Sequence, residues 1–208
     1  MPKKLPYWDD DSPQLEANLR EAMRLIQDKA ANRAKPSVED AREWHRIIMR
    51  GLRADDPGYV GAYRGEKGLE DVCVWVGPLE GAKPEKVADE LAAFEKRLQA
   101  EINRLDRTIA PGAKVNAAQL AEVIRVCAWV HAEWVRIHPF ANGNGRTARL
   151  WANSIALRYR VPAFVQLRPR PSGDYEKTAM FAMLGRSGPT EATFIRLYIE
   201  HIEKLKGA

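Results

Sequence analysis

Between positions 138 and 149 the chain reads His138-Pro139-Phe140-Ala141-Asn142-Gly143-Asn144-Gly145-Arg146-Thr147-Ala148-Arg149. Residues of these types at this spacing can handle a phosphorylated ligand. Gly143 and Gly145 let the backbone turn with successive N–H groups facing one way, and a helix starting beside them presents its positive end to the same spot. Arg146 and Arg149 are three apart, so on that helix both guanidinium groups reach one side and can each grip phosphate oxygens with paired N–H groups. Two such grips beside an amide cradle suit a polyphosphate better than a single carboxylate. His138 stands immediately before the cradle, and its ordinary pKa of about 6.5 suits proton transfer near neutral pH. A base next to a phosphate site points to transfer onto a hydroxyl.

The elements that must position these groups are mostly helical. Ser12 and Pro13 open an amphipathic helix with Leu15, Leu19, Ala22 or Met23, and Ile26 on one face. Ser37 with Asp40 restarts a helix carrying Trp44, Ile47, Ile48 and Leu52, and Pro84 opens another with Val87, Leu91, Phe94, Leu98 and Ile102. Asn116 and Gln119 form a capping pair for a helix that Pro139 stops, which puts His138 at its end. Further helices are expected from about Arg146 to Arg160, from Ser172, and around Phe194 to Leu205. Two strand-like runs, Val60 to Arg64 and Val72 to Val76, flank the turn-forming Gly65-Glu66-Lys67-Gly68 and predict one β-hairpin. The fold class is mainly α with a small β-hairpin.

Composition narrows the function classes. The 208 residues suit one domain with an added arm, and 45% hydrophobic with 29% charged residues excludes disorder over the whole chain. No apolar run approaches the ~18 residues needed to span a bilayer, so no membrane role is expected, and the lysine-then-aspartate start lacks a signal peptide's apolar region. A cytoplasmic location follows. Cys73 and Cys127 sit among apolar neighbours and read as small core residues. The net charge is +5, but Arg146, Arg149, Arg158, Arg160, Arg168 and Arg170 fall in one stretch free of acids, which marks either an anion site or a solvated face. His131 lies on an apolar stripe as a core histidine. His45 and His201 are expected to be solvated or capping, and Trp44, Trp129, Trp134 and Trp151 to pack in the core.

The segment beginning at His138 resembles the signature of the Fic family, His-x-Phe-x-(Asp/Glu)-Gly-Asn-Gly-Arg-x-x-Arg, meeting seven of its eight specified positions. The Trp44-His45 helix, Gly61-Ala62-Tyr63-Arg64, Asp174-Tyr175 and the Phe194 helix extend the similarity over nearly the whole chain. The resemblance implies a helical fold with a hairpin flap over the signature and transfer of AMP from ATP to a Ser, Thr or Tyr of a target protein. It makes His138 the base, Gly143, Asn144 and Gly145 the phosphate loop, Arg146 and Arg149 the β- and γ-phosphate ligands, and Phe140 a buried anchor. Tyr175 would line the adenosine pocket, and a flap of Arg64, Val72, Cys73, Val74, Trp75 and Val76 would pair with an extended target segment.

Asn142 stands where the family's acid holds Mg²⁺, and a neutral amide is a poorer Mg²⁺ ligand. This leaves three outcomes open: AMP transfer, a different nucleotide or phosphodiester donor, and a non-catalytic nucleotide-binding adaptor. Ser12-Pro13-Gln14-Leu15-Glu16-Ala17 is similar to the family's inhibitory helix, Ser/Thr-x-x-x-Glu-Gly/Asn. On that reading residues 1–36 form an N-terminal helical arm whose Ser12 and Glu16 inhibit by pairing with Arg149, and residues 37–208 form the catalytic domain. The plain alternative is an ordinary cap and a solvated first-turn acid. Control would otherwise fall to an antitoxin protein, as in toxin-like relatives. A basic helical nucleic-acid-binding protein using Arg146 to Arg170 is the reading from another class.

Overall fold

The computed structural model describes residues 12–54, 56–171 and 173–207. Expectations for Met1–Asp11, and for Ser172 as a helix start, fall outside them. Seven α-helices occur among the described residues: α1 Pro13–Ala31, α2 Val38–Met49, α3 Val87–Thr108, α4 Ala117–Ile137, α5 Asn144–Arg158, α6 Tyr175–Met183 and α7 Gly188–Gly207. The strands are β1 Trp75–Val76 and β2 Leu79–Glu80, an antiparallel pair in which Trp75 faces Glu80 and Val76 faces Leu79.

Helix α4 is the axis. From Val123 onward nearly every residue is buried, the pattern of a helix with neighbours on all sides, and α3, α5, α6 and α7 pack around it. Its start uses the reciprocal cap expected from the sequence: the Gln119 N–H donates to Asn116 Oδ1 and the Asn116 N–H to Gln119 Oε1, both at 2.9 Å. Trp44, Trp129, Trp134 and Trp151 are all buried, and Trp134 Nε1 donates to Thr147 Oγ1 at 2.8 Å, fixing α5 against α4. Helix α1 lays Leu15, Leu19, Ala22 and Ile26 into the same core, against α5 and α2. Asn18 Nδ2 donates to the carbonyls of Ile48 (2.9 Å) and Arg50 (2.7 Å), which satisfies acceptors at the C-terminal end of α2.

The hairpin differs from the expected one. Of the run 72–76 only Trp75 and Val76 form strand, and they pair with Leu79 and Glu80 and not with residues 60–64. Gly77, at φ 58°, and Pro78 supply a two-residue connection directly after Val76, a turn signal closer to the strand than Gly65-Lys67. Residues 60–64 instead lead Arg64 inward. Its N–H donates to the Pro139 carbonyl at 2.8 Å. Its buried guanidinium donates to the carbonyls of Ile137, His138, Val72 and Ala82 at 2.7–3.1 Å. Arg64 therefore ties the flap's base to the end of α4, and its side chain does not face a target. Cys73 is corrected as well: it is exposed, while Val72 and Val74 on either side are buried, as strand alternation requires. Cys127 is buried as expected.

Arg64→Met should cost on the order of 3 kcal/mol in urea unfolding, because four buried carbonyls lose a charged donor. A loss below about 1 kcal/mol would reduce Arg64 to a surface tie.

Candidate active site

The chain leaves α4 through His138, whose φ of 54° places it in the left-handed region as the helix C-cap. It re-enters a helix through Gly143, at φ 78°, where an added Cβ would come within 3.0 Å of His45 Nε2. Asn144 closes the loop between them. Its Oδ1 accepts from the Phe140 N–H (2.9 Å) and its Nδ2 donates to the Phe140 carbonyl (2.8 Å). The side-chain oxygen and one of the two side-chain N–H groups are thus committed within the loop, and Asn144 also brings its backbone N–H to the cradle. The N–H groups of Asn144 and Gly145, in the first turn of α5, have no acceptor within the helix, and the helix dipole adds positive potential there.

Phe140 is fully buried, stacked on the His45 ring with centroids 4.1 Å apart. His45 is the functional support that sequence reasoning missed. It is buried, not solvated; its Nδ1 accepts from the Gly61 N–H at 2.9 Å, and its Nε2 donates to the Asn142 carbonyl at 3.2 Å. Burial pushes its pKa down to about 3, against the Asn142 hydrogen bond and helped by the charges of Arg146 and Arg46. It therefore stays neutral in the tautomer the loop needs. No local pattern marks this role, because its partner lies 97 residues away.

His138 Nδ1 donates to the Val135 carbonyl at 3.0 Å, so the lone pair remains on Nε2. Burial lowers its pKa to about 4, opposed by that hydrogen bond and aided by Arg64. The flap closes over it: a Cβ at Gly81 would lie 2.8 Å from His138 Cβ. A cavity of 320 Å³ opens beside His138 between the flap residues Val76 and Gly77, the α4 residue Val135, and Tyr175 and Met180 of α6. Arg149 and Arg170 stand at its edge and also line a second cleft of 440 Å³ with Arg146, Arg168, Leu15 and Leu19. The apolar cavity suits a nucleobase, and the arginine cleft suits phosphates. Arg149 is buried, its Nε has no acceptor, and no carboxylate among the described residues pairs with it. That leaves hydrogen-bonding capacity for an anion.

Two other expectations change. Glu16 does not reach Arg149: it pairs with Arg20 one turn along α1, and both side chains are more than half exposed. Leu15 and Leu19 take the face toward the cleft, and Glu16, about 100° around the helix, emerges in solvent. Ser12 acts as the N-cap of α1, accepting from the Leu15 N–H at 3.1 Å. The arginines from 146 to 170 do not form one face either. Arg158 donates to Asp106 and the Ala34 carbonyl, and Arg160 to the Gly112 carbonyl. His131 is buried against Tyr175.

Asn142 Oδ1 accepts from the Gly143 N–H at 2.5 Å, which commits one of its two lone pairs within the loop. No cluster of three His, Cys, Asp or Glu side chains suited to a metal occurs among the described residues. Asn142 brings a neutral amide where the family's signature has an acid, and a neutral amide is a poorer Mg²⁺ ligand. No helix among the described residues is long and apolar enough to cross a membrane.

A helix-loop-helix with a histidine at one lip, an amide cradle at the other and a hairpin above defines a Fic-type domain. The Fic/DOC family model matches residues 35–156, and the chain belongs to that family. Among curated relatives, protein adenylyltransferase fic-1 of Caenorhabditis briggsae is 30% identical over 167 residues, 80% of this chain and 27% of that protein. Protein adenylyltransferase Fic of Drosophila melanogaster is 28% identical over 183 residues, covering 88% and 31%. The chain thus spans about a quarter to a third of the length of these relatives. Among solved structures, a fragment of Fic-1 from Caenorhabditis elegans superposes with a TM-score of 0.64 at 23% identity, over 95% of this chain and 53% of that one. A Fic domain containing signaling protein from Bacteroides thetaiotaomicron gives 0.58 at 20% identity, over 96% and 76%.

His45, His131 and His138 all have pKa values lowered by burial, to about 3, 3 and 4. The unfolded chain binds these protons near pH 6.5 and the folded chain does not, so the associated stability is full above pH 6.5 and lost as pH falls toward 4. Calorimetry at pH 5 in buffers of different ionisation enthalpy should record uptake of about three protons on unfolding; fewer than one would mean that these rings titrate normally. Glu16→Gln should change stability by less than about 0.5 kcal/mol in thermal melts, as befits an exposed i,i+4 pair.

Proposed function

We propose that the chain transfers AMP from ATP to a Ser, Thr or Tyr hydroxyl of a target protein. The observation that carries this reading is the pairing, in one cavity, of His138, whose free lone pair is on Nε2, with the amide cradle of α5 and Arg149. The names of the curated relatives support the same activity.

In this reaction the target hydroxyl lies against His138 Nε2. As its oxygen bonds to the α-phosphorus, the proton passes to His138, the α–β phosphoanhydride bond breaks, and pyrophosphate leaves toward Arg146 and Arg149. The N–H groups of Asn144 and Gly145 face the charge that develops on the transferred phosphoryl group. Because burial holds the His138 pKa near 4, the ring is an unprotonated base throughout the neutral range. The target is held by its backbone, an extended segment adding to the edge of residues 73–77, where the Cys73 and Trp75 side chains point outward. ATP is the donor. Mg²⁺ enters no step here, and the arginines carry the neutralisation that a metal would share.

Incubation with α- or γ-labelled ATP, followed by intact mass, tests the reading. Label from the α-position alone is expected on a protein hydroxyl. Label from the γ-position alone would replace AMP transfer by phosphate transfer, and ATP binding without label would leave a nucleotide-binding adaptor. His138→Ala should lower transfer by at least about 100-fold with the fold intact by circular dichroism. The rate should stay level as pH falls from 8 to about 5 and drop only near pH 4, where His138 protonates. A midpoint near pH 6.5 would assign the proton transfer to a different, solvated base.

A further inference from the structure

Two helices of the core end in the same uncommon way. Helix α1 closes on the C-cap Asn32 and α5 on the C-cap Tyr159. After α1 the Arg33 N–H donates to the Ala30 carbonyl (3.0 Å) and the Ala34 N–H to that of Lys29 (2.9 Å). After α5 the Arg160 N–H donates to the Leu157 carbonyl (3.0 Å) and the Val161 N–H to that of Ala156 (3.0 Å). This pair of bonds needs a left-handed residue just past the cap, and glycine is the usual choice because it has no Cβ to clash. Here the position holds Arg33, at φ 47°, and Arg160, at φ 59°. Each guanidinium is therefore held in place at a conformational cost.

Both arginines open on one cleft. With Arg158 they line a space of 420 Å³ that also touches Gln27, Ala31 and Gly112. Asp106 is the one carboxylate among the described residues that pairs with them. It accepts from Arg33 Nη2 (3.0 Å), from Arg158 Nη2 (2.8 Å) and from the Tyr159 hydroxyl (2.9 Å). Three guanidiniums against one carboxylate leave a surplus of two formal positive charges, part of it offset by the partly negative C-terminal ends of α1 and α5. Arg158 is buried, and the Nε–H groups of Arg158 and Arg33 have no acceptor, whereas buried cations are ordinarily matched by counter-charge. Arg160 is exposed and donates through Nη1 alone, to the Gly112 carbonyl at 2.7 Å. Its other N–H groups have no acceptor among the described residues.

We propose that this cleft is a second anion site, which takes a doubly charged phosphoryl group: inorganic phosphate, pyrophosphate or the phosphate of a small monoester. Several guanidinium forks around one space suit an anion with oxygens on all sides better than a planar carboxylate. The site lies at the C-terminal end of α5 and the nucleotide cavity at its N-terminal end, 15 residues away. At a rise of 1.5 Å per residue the two are about 20 Å apart. The second site does not rest on the reaction proposed above.

Amide ¹H–¹⁵N spectra locate the binding during titration with phosphate, pyrophosphate, glycerol phosphate or acetate at one ionic strength. The three phosphates should move the amides of Ala34, Gly112 and Val161 together and saturably, apart from those of Asn144 and Gly145, and acetate should not. The order of the three then tells a free anion from a monoester. Arg160→Gly keeps a residue that suits the backbone, so the fold should hold in thermal melts while the affinity read at the first group falls at least about tenfold. The Asn144 and Gly145 response should stay unchanged, and Arg33→Gly/Arg160→Gly should abolish saturation at the first group. Equal affinity in wild type and Arg160→Gly would make the arginines plain ties between helix ends and overturn the proposal. So would an equal response to acetate, or no response of the first group in wild type to any of the phosphates at about 10 mM. Movement of that group by a DNA duplex alone would give the cleft to nucleic acid and overturn it too. If the first group responds but Asn144 and Gly145 meet neither ATP nor pyrophosphate, the nucleotide reading falls and the second site stands.

Discussion

A buried guanidinium without a carboxylate partner organises this molecule. Helix α4 ends in the middle of the protein, where water cannot reach its last carbonyls, and a helix end in that situation needs donors from elsewhere. Arg64 supplies them to Ile137 and His138, and the same side chain reaches the flap at Val72 and Ala82. Burial lowers its pKa to about 10, so it remains charged at neutral pH, and each of its bonds is a charge-assisted one. The His138 backbone, the flap's base and the entry to the loop all hang from this one group. The geometry of His138, the proposed base, is thus set from behind, by a residue that does not touch the cavity.

The electrostatics of the site are arranged by removing charge from the imidazoles and keeping it on the arginines. Each of the three buried histidines is desolvated and lies near at least one arginine, so each stays neutral and serves as a directed hydrogen-bonding group: His45 under the loop, His131 behind Tyr175, His138 at the cavity. The cations that line the cleft beside them are Arg146, Arg149, Arg168 and Arg170, the last paired with Glu176, and the α5 N-terminus lies close by. An anion arriving there meets fixed donors and no competing imidazolium. In the proposed reaction this division suits His138, since a base must be unprotonated before it acts.

Much of this was legible in the sequence wherever the signal was local. The caps at Ser12 and Asn116, the apolar stripes of α1 and α3, the helix stop at Pro139 and the glycine turn at Gly143 to Gly145 that opens α5 all rest on residues within a few positions of one another. The misread features are those decided at long range. His45 looked isolated because the carbonyl it supports belongs to Asn142, and Arg64 looked like a strand residue because its acceptors lie on α4 and beyond the flap. Glu16 matched a spacing but not a direction: Leu15 and Leu19 claim the inward face of α1, and a motif read as a string does not contain that angle. The hairpin was displaced because two glycines at 65 and 68 outweighed the single Gly77-Pro78 step that forms the actual turn.

The flap also carries an experimental handle. Of the two cysteines, Cys127 is sealed in the core while Cys73 is exposed beside the edge proposed to receive the target. Its hydrogen bond to Glu80 and partial burial hold the thiol above its usual pKa, so it is a sluggish nucleophile toward mild oxidants. A maleimide fluorophore added at mildly alkaline pH would therefore attach at one position without mutagenesis. It would sit two residues from Trp75, a natural quencher, and its emission would report in real time when a peptide strand covers that edge and when it leaves.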